Sequence, residues 1–214
     1  MSPAAHITTS AVAQKRYLQQ YYKLHAYIYD LTRWAFLFGR KKVLKSIPLL
    51  PHNSINIAEI GCGTGFNLQQ LATLYPSATI TGIDISAHML RQAAKKLAHT
   101  PNIRLLEQQY GKQTPLTHPA HLVLFSYSLS MINPQWQEVL EQAFADLAPD
   151  GYIAVVDFHA SSSGWFNQWL QLHNVRIGGH LWHALHQLLT PIHAQIYTAY
   201  GGVWQYFVFV GKKK

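Results

Sequence analysis

The run Ile57-Ala58-Glu59-Ile60-Gly61-Cys62-Gly63-Thr64-Gly65-Phe66-Asn67-Leu68 decides the fold. A short apolar, strand-like stretch leads into three glycines at alternate positions, and a helical pattern then runs from Phe66 to a stop before Pro76. Glycines spaced this way let the backbone come close to a ligand, because no Cβ intervenes. Two phosphate-binding readings fail on residue identity. A P-loop ends in Gly-Lys-Ser/Thr, and this turn has no lysine. A dinucleotide fingerprint needs its third glycine three residues beyond the second, where this chain carries Phe66.

Outward from the turn, strand and helix alternate. The pattern predicts strands at 79–85 and 103–107, a helix at 87–98, a proline-bearing loop at 114–119 and an apolar strand at 121–126. A helix at 135–147 follows, closed by the turn signal Pro149-Asp150-Gly151, and a buried strand at 152–158. A long helical region is interrupted at Gly178-Gly179, and 195–200 and 203–210 flank Gly201-Gly202 as a closing β-hairpin. This order predicts an α/β layer fold with a mostly parallel sheet. Two acids frame the glycine turn: Glu59 in front of it and Asp84 at the end of the next strand, in a chain with only nine acidic residues among 214. An acid at the second position accepts both hydroxyls of a ribose. An acid beside the turn suits a ligand carrying an ammonium or sulfonium rather than a pyrophosphate.

With Glu59, Gly61, Gly63, Gly65 and Asp84 in place, the sequence resembles the class I S-adenosylmethionine-dependent methyltransferases, whose Glu/Asp-x-Gly-x-Gly-x-Gly hallmark it meets in full. The resemblance implies a Rossmann-like, seven-stranded sheet with an antiparallel last strand, S-adenosylmethionine as cofactor, and methyl transfer as activity. It places Gly61, Cys62, Gly63 and Gly65 along the methionine moiety, with Cys62 as a small filler in the turn. It puts Asp84 on the ribose, Ile85 against the adenine, Gln109 where an acid or amide commonly meets the adenine, and Ser126 at the edge of the cofactor site. Shorter blocks, Tyr27 to Arg33, Phe36 to Arg40, Phe125 to Ile132, and Val156-Asp157-Phe158 followed by Trp165-Phe166, look like the bacterial N-methyltransferase of betaine-lipid synthesis. That family trimethylates the amine of diacylglyceryl-homoserine.

This likeness makes a lipid head-group amine the expected acceptor, with a soluble amine or quinone-like molecule as the alternative. The growing quaternary ammonium calls for aromatic faces, and Tyr29, Tyr127 and Trp165 are the candidates. A homoserine carboxylate calls for a cation, Arg33 or Arg40. Asp157, His159 and Tyr22 are the candidate base or orienting groups for an amine that must be neutral to react.

Composition bounds the rest. Charged residues make up 12% and hydrophobic residues 49%, which excludes an intrinsically disordered chain. The single cysteine forms no internal disulfide, as expected in a reducing cytoplasm. The apolar runs fall short of the ~20 residues a spanning helix needs, and no basic-then-apolar leader opens the sequence. The expected location is cytoplasmic, with peripheral contact on the inner membrane face. Of the net charge of +8, the first 45 residues contribute +7, from eight bases against Asp30. Aromatics at spacings of three and four in that stretch predict two helices, so residues 1–50 read as a helical lid or membrane-facing segment and 51–214 as the cofactor-binding domain. Basic residues near an anionic bilayer are attracted by roughly 1 kcal/mol each. A nucleic-acid-binding module is the rival use of this charge, but no recognised RNA motif accompanies it, so no nucleic acid is expected. The 13 histidines include His180, His183 and His186, three apart, yet no acid follows Asp157 and the set drifts around a helix, so no metal is expected.

Overall fold

The computed structural model describes residues 37–51, 54–172 and 175–213. Tyr22, Tyr29, Arg33 and most of the predicted N-terminal helices lie outside the described residues. The chain divides into two compact units, Met1–Phe38 and Gly39–Lys214. The basic helix α1 (Arg40–Lys45) belongs to the second unit, where it packs on the sheet.

That unit is a seven-stranded sheet in the order β3-β2-β1-β4-β5-β7-β6. Its strands are β1 (Asn56–Ile60), β2 (Thr79–Asp84), β3 (Ile103–Glu107), β4 (Ala120–Ser126), β5 (Leu147–Ser161), β6 (Leu189–Ala199) and β7 (Trp204–Lys213). The first five run parallel, and β7 lies antiparallel between β5 and β6. This is the expected Rossmann-like architecture with its terminal antiparallel hairpin. Strand order reverses between β1 and β4, and ligands of open α/β sheets bind outside the strands' carboxyl ends at such a switch point. The glycine turn sits there.

Helices α2 (Phe66–Leu74), α3 (Ala87–Lys96), α4 (Trp136–Ala145), α5 (Gly164–Leu172) and α6 (His180–Leu188) cover the sheet. On one face, Ile60, Ile83, Phe125, Val155, Phe207 and Phe209 form a continuous core with Val139 and Leu140 of α4 and Leu181 and Leu185 of α6. On the other, Leu68 of α2 lies under β2, filling the space beside Gly82. Phe166 of α5 stacks on Trp204 (5.6 Å between centroids) and meets the edge of Phe158.

Two expected boundaries shift, each for a local reason. Pro149-Asp150-Gly151 is not a turn that ends one element before the next. β5 runs through it, with an irregularity opposite β4 between Ala120 and Leu122 and with Asp150 at φ 61. Gly151 is required there, since a Cβ would stand 2.9 Å from Ala148 O and 3.0 Å from Ala120 O. β6 begins at Leu189, six residues before the expected start, and includes Pro191. Proline is tolerated because β6 is the sheet edge, where one side of the ladder needs no donor.

Candidate active site

β1, β2 and the turn between β1 and α2 are stitched together by backbone. Gly61 N and Cys62 N both donate to Ile83 O, at 2.8 and 3.0 Å. Asp84, at the end of β2, then spans the turn. Its Oδ2 accepts from Gly63 N and its Oδ1 from Ser86 N, each at 2.8 Å. Every carboxylate oxygen has two lone pairs, so both keep capacity for a second donor such as a ribose hydroxyl. Ser86 also caps α3 by accepting from Met89 N. Ile85 follows with its apolar side chain 75% exposed, placed to cover a flat aromatic group beside Asp84.

Glu59 is buried and accepts from Asn67 Nδ2 at 2.7 Å. Cys62 is buried beneath the turn, its Sγ filling the space beside Gly82. Burial pushes its thiol pKa far up, and the charges of Glu59 and Asp84 push it further. The turn therefore lies in a negative field, which favours a cationic ligand over a pyrophosphate.

The glycines divide their work differently from the sequence expectation. Gly61 and Gly65 hold φ of 73° and 74°, which L side chains rarely adopt. A Cβ on Gly61 would stand 2.5 Å from Ser128 Cβ, and one on Gly65 2.9 Å from Leu97 Cδ1. At both, the missing side chain makes room for the chain's own packing. Gly63 (φ 54) is the one whose amide engages Asp84.

Beyond β4, Ser126 is buried, and its Oγ has no hydrogen-bond partner among the described residues. Ser128 Oγ donates to Ile60 O at 2.7 Å, tying the post-β4 loop to the mouth of the glycine turn. Tyr127, at φ 55, is buried edge-on against Phe158 at 4.7 Å, so its ring presents no open face to an acceptor. Burial and the Asp157 charge raise its hydroxyl pKa, while nearby Arg40 opposes them. The Arg40 guanidinium lies 4.0 Å over the ring of Phe66, the residue directly after the glycine turn.

The remaining candidates are placed less centrally. Gln109 is exposed, and its carbonyl accepts from Thr114 Oγ1. Neighbouring Gln108 N donates to Asp84 O, which keeps this segment beside the acid. Asp157 is fully buried, with Oδ2 accepting from Ser130 N (3.0 Å) and Oδ1 from Phe158 N (2.8 Å). Burial raises its pKa to about 6 against those hydrogen bonds. A carboxylate so enclosed holds the post-β4 loop through Ser130 N, which is the orienting rather than the open-base geometry. His159 sits at a bulge of β5 and turns toward α6, edge-on to Trp182 and Phe207. Burial, then the charge of His183, lowers its pKa below the usual 6.5. Trp165 is 61% exposed on α5.

Among the described residues no three His, Cys, Asp or Glu side chains are grouped to hold a metal. His183 and His186 instead direct Nδ1 to carbonyls of Gly179 and Trp182. Sequence reasoning missed Asn67, Ser128 and Ser130. Asn67 carried a signal, being a polar residue on the second position of the helix after the motif, within reach of Glu59.

The residues present fit S-adenosylmethionine. A half-exposed carboxylate with open lone pairs, an exposed apolar side chain beside it and a turn flanked by the acids Glu59 and Asp84 match its ribose, adenine and sulfonium. Residues 57–151 match a family model described as a methyltransferase domain. The chain is 29% identical over 151 residues to malonyl-[acyl-carrier protein] O-methyltransferase of Legionella pneumophila, covering 65% of this chain and 51% of the relative. It is 30% identical over 115 residues to trans-aconitate 2-methyltransferase of Rhodopseudomonas palustris, covering 54% and 42%. The chain thus spans about half the length of the curated relatives it matches. The fold superposes on N-methyltransferase NodS from Bradyrhizobium japonicum WM9 in complex with S-adenosyl-L-homocysteine, with a TM-score of 0.64, 16% identity and coverage of 81% and 85%. These matches liken the chain to methyltransferases, and the relatives named are not of betaine-lipid synthesis.

Proposed function

We propose that this class I S-adenosylmethionine-dependent methyltransferase domain methylates the amine of a lipid head group that also bears a carboxylate, of the diacylglyceryl-homoserine kind. The observation that carries the reading is the Arg40 guanidinium over Phe66, beside both the glycine turn and Tyr127. A planar cation there suits a carboxylate held bidentately. Lys41, Lys42 and Lys45 continue the charge along α1, and α5, which like α1 packs on β5, exposes Trp165 and Leu172. Cations and exposed tryptophan and leucine on helices that share a strand suit the surface of an anionic bilayer.

Bound in the turn, S-adenosylmethionine supplies an activated methyl group on a good leaving group. Asp84 and Ile85 would hold its nucleoside end, and the Glu59–Asn67 pair and the glycine backbone would shape the turn that receives the rest of it. Asp157 fixes the loop carrying Ser128 and Tyr127 across from it. With a reactive donor, orientation supplies most of the acceleration, so no buried base need touch the acceptor. The acceptor amine is made neutral by leaving water, and its proton goes to solvent. His159, near the carboxyl end of β5, is the candidate to relay it, although burial and then the charge of His183 lower its pKa and keep it from retaining the proton.

The malonyl-carrier and trans-aconitate relatives act on acids, and the same Arg40 supports a second reading, methyl-ester formation on a small carboxylate. Incubation with methyl-labelled S-adenosylmethionine and a lipid extract separates the two. Label in the organic phase that survives mild alkali supports N-methylation of a lipid. Label released as methanol by alkali, or found only with soluble acids, overturns it.

A further inference from the structure

We infer that the hollow beside β3 is a second binding site, for a small organic anion with a carboxylate or phosphate head. Crossovers between parallel strands commonly lay a helix on the sheet. Here residues 108–119 join β3 to β4 without one. The face of β1–β3 shared with α4 is therefore covered near its amino-terminal half by loop alone, leaving a cavity of about 350 Å³.

The register shows that its floor is built for something other than an apolar cover. Toward the carboxyl ends, the cross-strand row Ile60–Ile83–Leu106 is apolar and joins the core. One pleat back, the row is Ala58–Thr81–Arg104, and the next is Asn56–Thr79. A helix packed there would bury a guanidinium and two hydroxyls at considerable cost. Left open, the same groups converge as donors. Residues 113–118 form the rim and add Gln113, Thr117 and His118, while the Thr114 hydroxyl is spent on Gln109 O.

Charge selects the ligand class. Among the described residues lining the hollow, Arg104 is the one formally charged side chain and none is an acid. A guanidinium fork flanked by hydroxyl and amide donors matches the two or three oxygens of a carboxylate or phosphate. The volume falls within the roughly 300–1,000 Å³ of small-molecule sites. Asn56 and Thr79 stand at the strands' amino ends, so this site does not overlap the glycine turn at the opposite ends of β1 and β2.

The test uses the ¹⁵N-labelled full chain in an NMR titration with sodium phosphate and, separately, sodium acetate, each against sodium chloride at equal ionic strength. The expected result is saturable shifts at Thr79, Thr81, Arg104 and 113–118, larger than those from chloride, with the stronger arm identifying the head group. Arg104→Gln, at an exposed position that the fold tolerates, weakens that binding at least tenfold, and the volume-conserving Thr81→Val weakens it further. Shifts no larger than with chloride, shifts confined to 61–65, or binding undiminished in Arg104→Gln would overturn the inference.

Discussion

In the proposed function, Asp84 is the residue on which cofactor recognition rests. It holds Gly63 and Ser86 by their amides and keeps lone pairs for the ribose. Hydrogen bonds to charged groups contribute about 1.5–3 kcal/mol, so Asp84→Asn should raise the Kd for S-adenosylmethionine by roughly 10- to 100-fold. Equilibrium binding measures this, with circular dichroism as the check on folding. Gly61 answers a different question. Its φ of 73° and the 2.5 Å approach of Ser128 Cβ make Gly61→Ala both strained and overpacked, a loss of about 2–4 kcal/mol. Adding Ser128→Gly removes the overlap but not the strain. The double variant should be more stable than the sum of the single losses implies, by about 1 kcal/mol or more in a urea-unfolding cycle. Strict additivity would show that Ser128 does not set the glycine requirement.

At the scale of elements, the end of β5 positions the post-β4 loop through Asp157. Its pKa in the fold, about 6, lies above the ordinary carboxylate value of 3.8. The native state therefore binds this proton more tightly than the unfolded chain does. The stability it contributes is present below about pH 4 and is lost as pH rises through 6. The loss amounts to roughly 3 kcal/mol at 1.36 kcal/mol per pKa unit. Asp157→Asn should flatten that part of the pH profile, seen as a wild-type-minus-variant difference in unfolding free energy that changes between pH 4 and 7. On the opposite face of the sheet, Phe166→Ala should cost about 3–5 kcal/mol, because Phe166 is fully buried between Trp204 and Phe158.

The same elements show what the sequence made legible. The glycine turn, Glu59 and Asp84 lie within two consecutive strand–turn–helix units, so their arrangement follows from local spacing. β3 is read to its residue bounds for the same reason. The extent of β5 and β6 was hidden because a turn signal and a proline have opposite meanings inside a strand and at a sheet edge. Tyr127 and Asp157 looked like open site residues because the predicted strands end at 126 and 158, whereas β5 runs on to Ser161. Their burial depends on Phe158 and Ser130, which no local pattern reports.

At the scale of the molecule, the described residues include no helix long and apolar enough to cross a membrane. Surface attraction then depends on where the cations stand. Lys212 is paired to Asp150 at 2.8 Å and Lys213 donates to Leu147 O at 2.9 Å, so the described part of the basic tail is engaged within the fold. The α1 lysines are the better candidates. Lys41→Glu with Lys45→Glu should abolish co-sedimentation with anionic phosphatidylglycerol vesicles at 0.15 M salt, and 0.5 M salt should do the same to the parent chain. A parent chain that stays in the supernatant at 0.15 M salt would remove the membrane surface from the proposal without touching the cofactor site.

The negative, glycine-lined turn is the centre of the account, and calorimetric titration tests it most directly. S-adenosylmethionine should bind the full chain saturably, Asp84→Asn should weaken that binding at least tenfold, and saturating NADH or ATP should not displace it. Tight binding of either phosphate-bearing nucleotide, with none for S-adenosylmethionine, would contradict it.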